Sequence, residues 1–71
     1  MKYEYNKVIQ QQYGQGWEDV SEYSCNSLGI TKDTHTTKEG KIIKLITHDF
    51  KEYRLTGYAT RVIFRKTKIN N

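Results

Sequence analysis

Three features of this 71-residue sequence predict an α+β fold. A Gly-Gln-Gly turn at 14–16 divides a region rich in Tyr and Val, apolar residues recur at helical spacing after residue 40, and residues 59–68 alternate. These elements predict a two-layer ββαβ domain, a three-stranded antiparallel sheet in the order 2-1-3 with one helix on one face. We expect one domain over 1–71, with strands at about 2–13, 17–24 and 59–68 and a helix at about 37–55.

The N-terminal half predicts a β-hairpin around the Gly-Gln-Gly turn. A three-residue loop would use Gly16 in the left-handed conformation and place Tyr13 opposite Trp17. Side-chain alternation would then send the odd-numbered aromatic residues of both strands to one face. A two-residue loop would instead pair Ile9 with Val20, and the sequence leaves both registers open.

The helix prediction depends on a start signal and an apolar stripe. Thr36 and Glu39 have the spacing of a capping box, which predicts a helix start. Gly57 follows the last apolar position and is suited to end the helix. The stripe with spacings of three and four residues consists of Ile42, Ile43, Ile46, Phe50 and Tyr53.

The sheet face away from the helix is a candidate protein-binding surface, because it combines a small apolar centre with a charged rim. This face is predicted to contain Val8, Val20 and Ile63 among Gln10, Gln12, Glu18, Glu22, Arg61 and Arg65. The single Trp17 is either a cap on the core beside Tyr13 or a binding anchor at the hairpin tip. The candidate protein-binding residues are Tyr13, Trp17, Glu18, Val20 and Ile63.

A basic helix face is the basis of an alternative function, nucleic-acid binding. The chain has twelve Lys and Arg against eight Asp and Glu, for a net charge of +4, and such a balance favours acidic partners. The helix and the third strand together offer cations for a phosphate backbone. The candidate nucleic-acid-binding residues are Lys41, Lys44, Lys51, Arg54, Arg61 and Arg65.

The sequence indicates no enzyme, cofactor or metal site. The "GQGWED" stretch has Asp19 where a dinucleotide fingerprint needs glycine, and a strand follows it. Glu18 and Asp19 would point to opposite faces of a strand, and His35 and His48 lack zinc spacing. A triad of Cys25, His35 and Asp49 has no local signature to support it.

Compartment and assembly are inferred from composition. A single Cys25 excludes an internal disulfide, the N-terminus has no signal pattern, and the longest apolar run is three residues. We therefore expect a cytoplasmic protein with no membrane span. The free sheet edges and small core also predict a homodimer.

Two segments carry a resemblance to a protein group. "VIQQQYGQGWEDVSEY" at 8–23 and "DFKEYRLTGYATRVIFRK" at 49–66 resemble small uncharacterised proteins of bacteriophages and other mobile elements. Those proteins combine a YGxGWED hairpin, a helix ending in Tyr-Arg, and a closing Arg-Val-Ile strand. They commonly have a proline between helix and last strand, which this chain lacks. The resemblance implies a phage or mobile-element gene product in a bacterial cytoplasm.

Overall fold

The computed structural model describes residues 2–70 and confirms the predicted α+β class and sheet order. A three-stranded antiparallel sheet has the order β2-β1-β5, and β3 and β4 form a separate two-stranded sheet. The third strand of the sequence prediction is β5. The elements are β1 Lys2–Gln12, β2 Trp17–Cys25, β3 Thr34–Thr36, β4 Ile42–Lys44, α1 Leu45–Arg54 and β5 Thr60–Ile69.

The second hairpin corrects the predicted helix start. Helix α1 begins at Leu45 instead of residue 37, because Thr36 pairs with Ile42 across β3 and β4. The turn between them is closed by hydrogen bonds from the Gly40 and Lys41 N–H groups to Thr37, and Gly40 has a φ of +85°. β-branched residues on both sides of a glycine turn favour a hairpin over a helix.

A β-bulge in β2 resolves the two registers that the sequence leaves open. Near the turn Gln10 pairs with Asp19, whereas the next residue, Ile9, pairs with Ser21, so Val20 is the extra residue. The three-residue-loop register therefore holds beyond the bulge. Between bulge and turn the pairing is that of the two-residue register, with Gln12 opposite Trp17. A bulge of one residue reverses which side chains share a face.

Several polar contacts attach helix α1 to the sheet. The hydroxyl of Tyr23 donates to Asp49 at 2.5 Å, and the hydroxyl of Tyr53 donates to the Val20 carbonyl at 3.1 Å. Burial of the Tyr23 ring, then its bond to Asp49, raises the pKa of Tyr23 to about 12. The Gln11 amide donates to the Tyr53 carbonyl at 2.8 Å, near the C-terminus of the helix. These contacts place the helix on the face of β1 that contains its odd-numbered residues.

The hydrophobic core is small for this chain length. Among residues 2–70 the buried apolar side chains are Val8, Ile9 and Tyr23, and no residue of α1 is buried. The predicted helical stripe is therefore not a buried core, and Ile42, in β4, is 72% exposed. The molecule is a thin plate of 42 × 36 × 16 Å.

Within residues 2–70, no helix has both the length and the apolar character needed to cross a membrane.

Candidate functional site: the open face of the sheet

The side of the sheet opposite α1 presents even-numbered β1 residues and their neighbours on the outer strands. We call this surface the open face. Gln10 lies on it, because Gln11, the next residue, contacts the helix and side chains alternate along a strand. The open face includes Asn6, Val8, Gln10 and Gln12 on β1, Trp17, Asp19, Glu22 and Ser24 on β2, and Arg61, Ile63 and Arg65 on β5.

Trp17 lies on the open face with an arginine over its ring. The guanidinium carbon of Arg61 is 4.1 Å from the centre of the Trp17 ring system, a cation–π contact. The Nε of the same arginine donates to the Gln10 side chain at 2.9 Å. Trp17 is half-buried. The Trp17–Arg61 pair therefore joins the two outer strands across β1 and keeps both side chains in place.

An ion pair crosses the centre of the open face. Arg65 donates two hydrogen bonds to the Asp19 carboxylate, at 2.8 and 3.2 Å, and Gln10 donates a third at 2.8 Å. Asp19 is opposite Gln10, and Arg65 is opposite Asn6. The pair therefore crosses β1 diagonally at the level of Val8, which lies between them. Val8, whose cross-strand neighbours are Glu22 and Ile63, is completely buried although the helix does not cover this face.

The ion pair predicts an acid-sensitive component of stability. Hydrogen bonds from Arg65 and then Gln10 lower the pKa of Asp19 from 3.8 to about 2. Because the folded carboxylate holds its proton more weakly than the unfolded one, this component is complete above about pH 4 and is lost towards pH 2. We expect Asp19→Asn to remove it. Urea unfolding at a series of pH values should show that Asp19→Asn loses less unfolding free energy between pH 4 and 2 than the parent does. An equal loss of unfolding free energy between pH 4 and 2 in the two proteins would show that Asp19 is not the source of the acid-sensitive component.

The structure separates the five predicted protein-binding residues. Trp17 and Ile63 lie on the open face, but Tyr13 packs edge-on against Tyr58 at 4.6 Å. Glu18 is opposite Gln11, on the helix side, and Val20 is the bulge residue without a β1 partner. The predictions that Trp17 faces Tyr13 and that Glu18 lies on the open face are therefore wrong, because the bulge reverses the alternation.

A recess at the hairpin tip keeps part of the predicted cluster together. It has a volume of about 390 Å³. Gly14 and Gly16 have φ angles of +98° and +124°, which only glycine adopts readily. The lining residues are Tyr13, Gln15, Gly16, Trp17 and Glu18.

The six predicted nucleic-acid-binding residues do not form one surface. Lys41 lies in the β3–β4 turn, and Lys44 donates its ammonium group to the Thr31 carbonyl. Neither residue is on the helix, contrary to the prediction. Arg61 and Arg65 belong to the open face, where they contact Trp17 and Asp19.

Lys51 and Arg54 lie on the other side of the sheet. With Lys7 they surround a groove of about 390 Å³ between α1 and β5, whose apolar lining is Ile46, Phe50 and Val62.

The residues considered for catalysis or metal binding are placed as follows. The rings of His35 and His48 stack at 3.7 Å with planes 15° apart. Asp49 accepts a hydrogen bond from Tyr23, and Cys25 is a free, half-buried thiol. In the part of the chain that the structure describes, no group of three His, Cys, Asp or Glu side chains is arranged to hold a metal ion.

Sequence reasoning missed the polar network beneath the open face. Gln10 and Asn6 are 7% and 5% exposed, in the middle of the central strand. The signal was the polar run Gln10 to Gln12 in a strand that has neighbours on both sides. Buried amides need hydrogen-bond partners, so such a run indicates a side-chain network on the sheet.

Comparison of the chain with protein-family models, with curated proteins and with solved structures finds no match.

Proposed function

We propose that this chain is a small non-enzymatic accessory protein that binds a protein partner through the open face and the hairpin tip. The observation that carries the proposal is the Trp17–Arg61 pair on a sheet face that the helix does not cover. Tryptophan and arginine are the residue types most enriched at interface hot spots. Their mutual contact fixes both side chains before binding, which lowers the entropy cost of association.

The surroundings of the pair support the same proposal. Trp17 and Ile63 are half-buried apolar residues of the open face that solvent still reaches, whereas Val8 is fully buried. Glu22, Asp19 and Arg65 add charge of both signs around them. An apolar centre with a polar rim is typical of protein interfaces. We further propose, from the resemblance in 8–23 and 49–66, that the partner is a host or phage protein in a bacterial cytoplasm.

The test is a truncation of the tryptophan. Once a partner has been captured from a bacterial host by pull-down, Trp17→Ala should weaken its affinity by about 2 kcal/mol or more, roughly 30-fold, if Trp17 is a hot spot. Calorimetry or surface plasmon resonance with the purified partner measures this change. Circular dichroism must first show that the variant is folded.

Phe64→Ala is the matched control, because Phe64 is 47% exposed and stacks on Tyr5 on the helix side of the sheet. We expect it to leave the affinity within about threefold of the parent. A folded Trp17→Ala protein with full affinity, or an equal loss in both variants, would rule out the open face as the binding surface.

Nucleic-acid binding stays the alternative, and the groove with Lys7, Lys51 and Arg54 on one side is the observation in its favour. If it is correct, nuclease treatment should abolish the capture, and affinity for DNA should fall with salt by a log-log slope of about −0.9 per phosphate contact. Lys51→Ala with Arg54→Ala should then reduce the slope by about two contacts. Binding that is insensitive to nuclease and salt favours the protein partner.

A further inference from the structure

The two outer strands of the three-stranded sheet have opposite charge. Strand β2 contains Glu18, Asp19 and Glu22 without a Lys or Arg, and β5 contains four basic residues without an Asp or Glu. The basic residues of β5 are Arg61, Arg65, Lys66 and Lys68. Each strand pairs with β1 on one side only. Within residues 2–70, the outer side of β2 has a single bridge, from Cys25 to Thr31.

Much of this charge is not neutralised within the chain. The ion pair between Arg65 and Asp19 is the only one among residues 2–70. The exposed side chains of Glu18 and Glu22 on one edge, and of Lys66 and Lys68 on the other, therefore have no ion-pair partner in the described part of the molecule. Opposite charges on neighbouring strands stabilise a sheet, whereas like charges directly opposite one another destabilise it.

The molecule also exposes more surface than a compact monomer of its size. Its accessible surface is 5411 Å², against about 4,600 Å² expected for a compact protein of this mass. Its radius of gyration is 13.8 Å, against about 11 Å for a compact domain of this length. The excess surface is close to the roughly 800 Å² that one partner buries in a standard interface.

We propose that the basic edge of β5 in one copy of this chain docks against the acidic edge of β2 in a second copy, and so extends the sheet. The two edges are of similar length, with ten residues in β5 and nine in β2. The bulge at Val20, whose carbonyl accepts from Tyr53, divides the β2 edge into two segments. The available segments are 17–19 and 21–24. The association does not require the proposed partner binding, because it uses the edges and leaves the open face accessible.

The charge pattern decides between two forms of self-association. A two-fold dimer through β5 and β5 would bring eight basic residues together, which like-charge repulsion opposes. Pairing β5 with β2 uses two different surfaces, so the dimer retains one free β2 edge and one free β5 edge. The resulting assembly grows with protein concentration beyond the dimer and weakens with salt, because the edge charges are exposed to solvent.

Sedimentation velocity on the whole chain gives the first test. At low salt, the weight-average mass is expected to rise above 8.4 kDa between low and high micromolar concentration. At about 1 M salt, where the screening length is about 3 Å, it should return to the monomer value. A chain that is monomeric throughout at low salt overturns the proposal.

Charge reversal on each edge gives the decisive test. The variant Glu18→Lys/Glu22→Lys has two basic edges, and the variant Lys66→Glu/Lys68→Glu has an acidic β2 edge and a β5 edge whose two Arg and two Glu cancel. Each alone should remain at the mass of a monomer, and an equimolar mixture should associate again. Control variants in the β3–β4 turn and the helix, Glu39→Lys/Glu52→Lys and Lys38→Glu/Lys41→Glu, change the net charge equally and should associate like the parent.

Circular dichroism must show native spectra for all four proteins. Association of either edge variant alone, or failure of the mixture to associate while both components are folded, overturns the pairing of β5 with β2. Loss of association in the control variants would show that net charge alone drives it, and would overturn the proposal as well.

Discussion

Replacement of Ile9 by alanine is expected to unfold a large part of the protein at 25 °C. Ile9 has no exposed surface, and it is one of three buried apolar side chains among residues 2–70. Truncation of a buried isoleucine costs about 2–5 kcal/mol, and a core of this size supplies only about 3–5 kcal/mol of net stability. The melting temperature should fall by about 10 °C or more.

Val62→Ala is the control for this prediction. Val62 is directly opposite Ile9 on β5 but is 40% exposed, so its truncation should cost under about 1 kcal/mol. Thermal melts and urea unfolding, followed by circular dichroism, measure both variants. Similar decreases in melting temperature for Ile9→Ala and Val62→Ala would show that the core does not centre on β1.

Replacement of Gln11 by alanine is expected to have the second-largest effect on stability. This side chain is 1% exposed. Its amide donates to the Tyr53 carbonyl at 2.8 Å and to the hydroxyls of Thr56 and Thr60 at 2.9 and 3.2 Å. Its carbonyl accepts from the Tyr13 hydroxyl at 2.5 Å. Removal of these bonds leaves buried polar groups without partners, which should lower the free energy of unfolding by about 1–3 kcal/mol.

The effect should be local as well as global, because Gln11 connects β1 to the C-terminus of α1. We expect amide hydrogen exchange at residues 53–57 to accelerate in Gln11→Ala, whereas exposed Gln12 should tolerate alanine within about 0.5 kcal/mol. Exchange that accelerates evenly over the whole chain would show that the helix end does not depend on this side chain.

The two proposals use the open face and the edges of the same sheet, which share Glu22 of the open face and Glu18 of the hairpin-tip recess. The open face has a Trp17–Arg61 pair whose atoms are already in contact. At the edges, the four charged residues without an ion-pair partner among residues 2–70 are Glu18, Glu22, Lys66 and Lys68, of which Lys66 lies over the Tyr3 ring. Partner binding should therefore respond to truncation of Trp17 and little to salt. Self-association should respond to salt and to charge reversal at the edges, so the two can fail independently.

Sequence reasoning succeeded where the signal was local. Alternation over 59–68 identified β5, and the two glycines at 14 and 16 identified the first turn, since both adopt positive φ. The order of the sheet followed from chain connectivity and the shortness of the connections. These features depend on neighbouring residues in the chain, which a sequence displays directly.

The region before the helix shows why the helix start could not be predicted. Thr36, Glu39, Ile42 and Ile43 fit a capped amphipathic helix and also fit a short hairpin. The backbone of Leu45 donates to the Asp33 carbonyl at 2.9 Å, and the His35 ring stacks on His48. These contacts with residues outside the segment favour the hairpin. The pattern of apolar residues within the segment gives no information about them.

The sequence by itself determined that this protein is an α+β domain with a three-stranded sheet, a basic last strand and an acidic second strand. Only the tertiary structure decided which face Trp17 occupies, because the single extra residue at Val20 reverses the alternation without changing the composition of the strand. It also decided that Gln10, Asp19 and Arg65 meet across β1. Pairing across strands brings together residues far apart in the chain, such as Asp19 and Arg65, which are 46 positions apart. That register exists only once the sheet has formed.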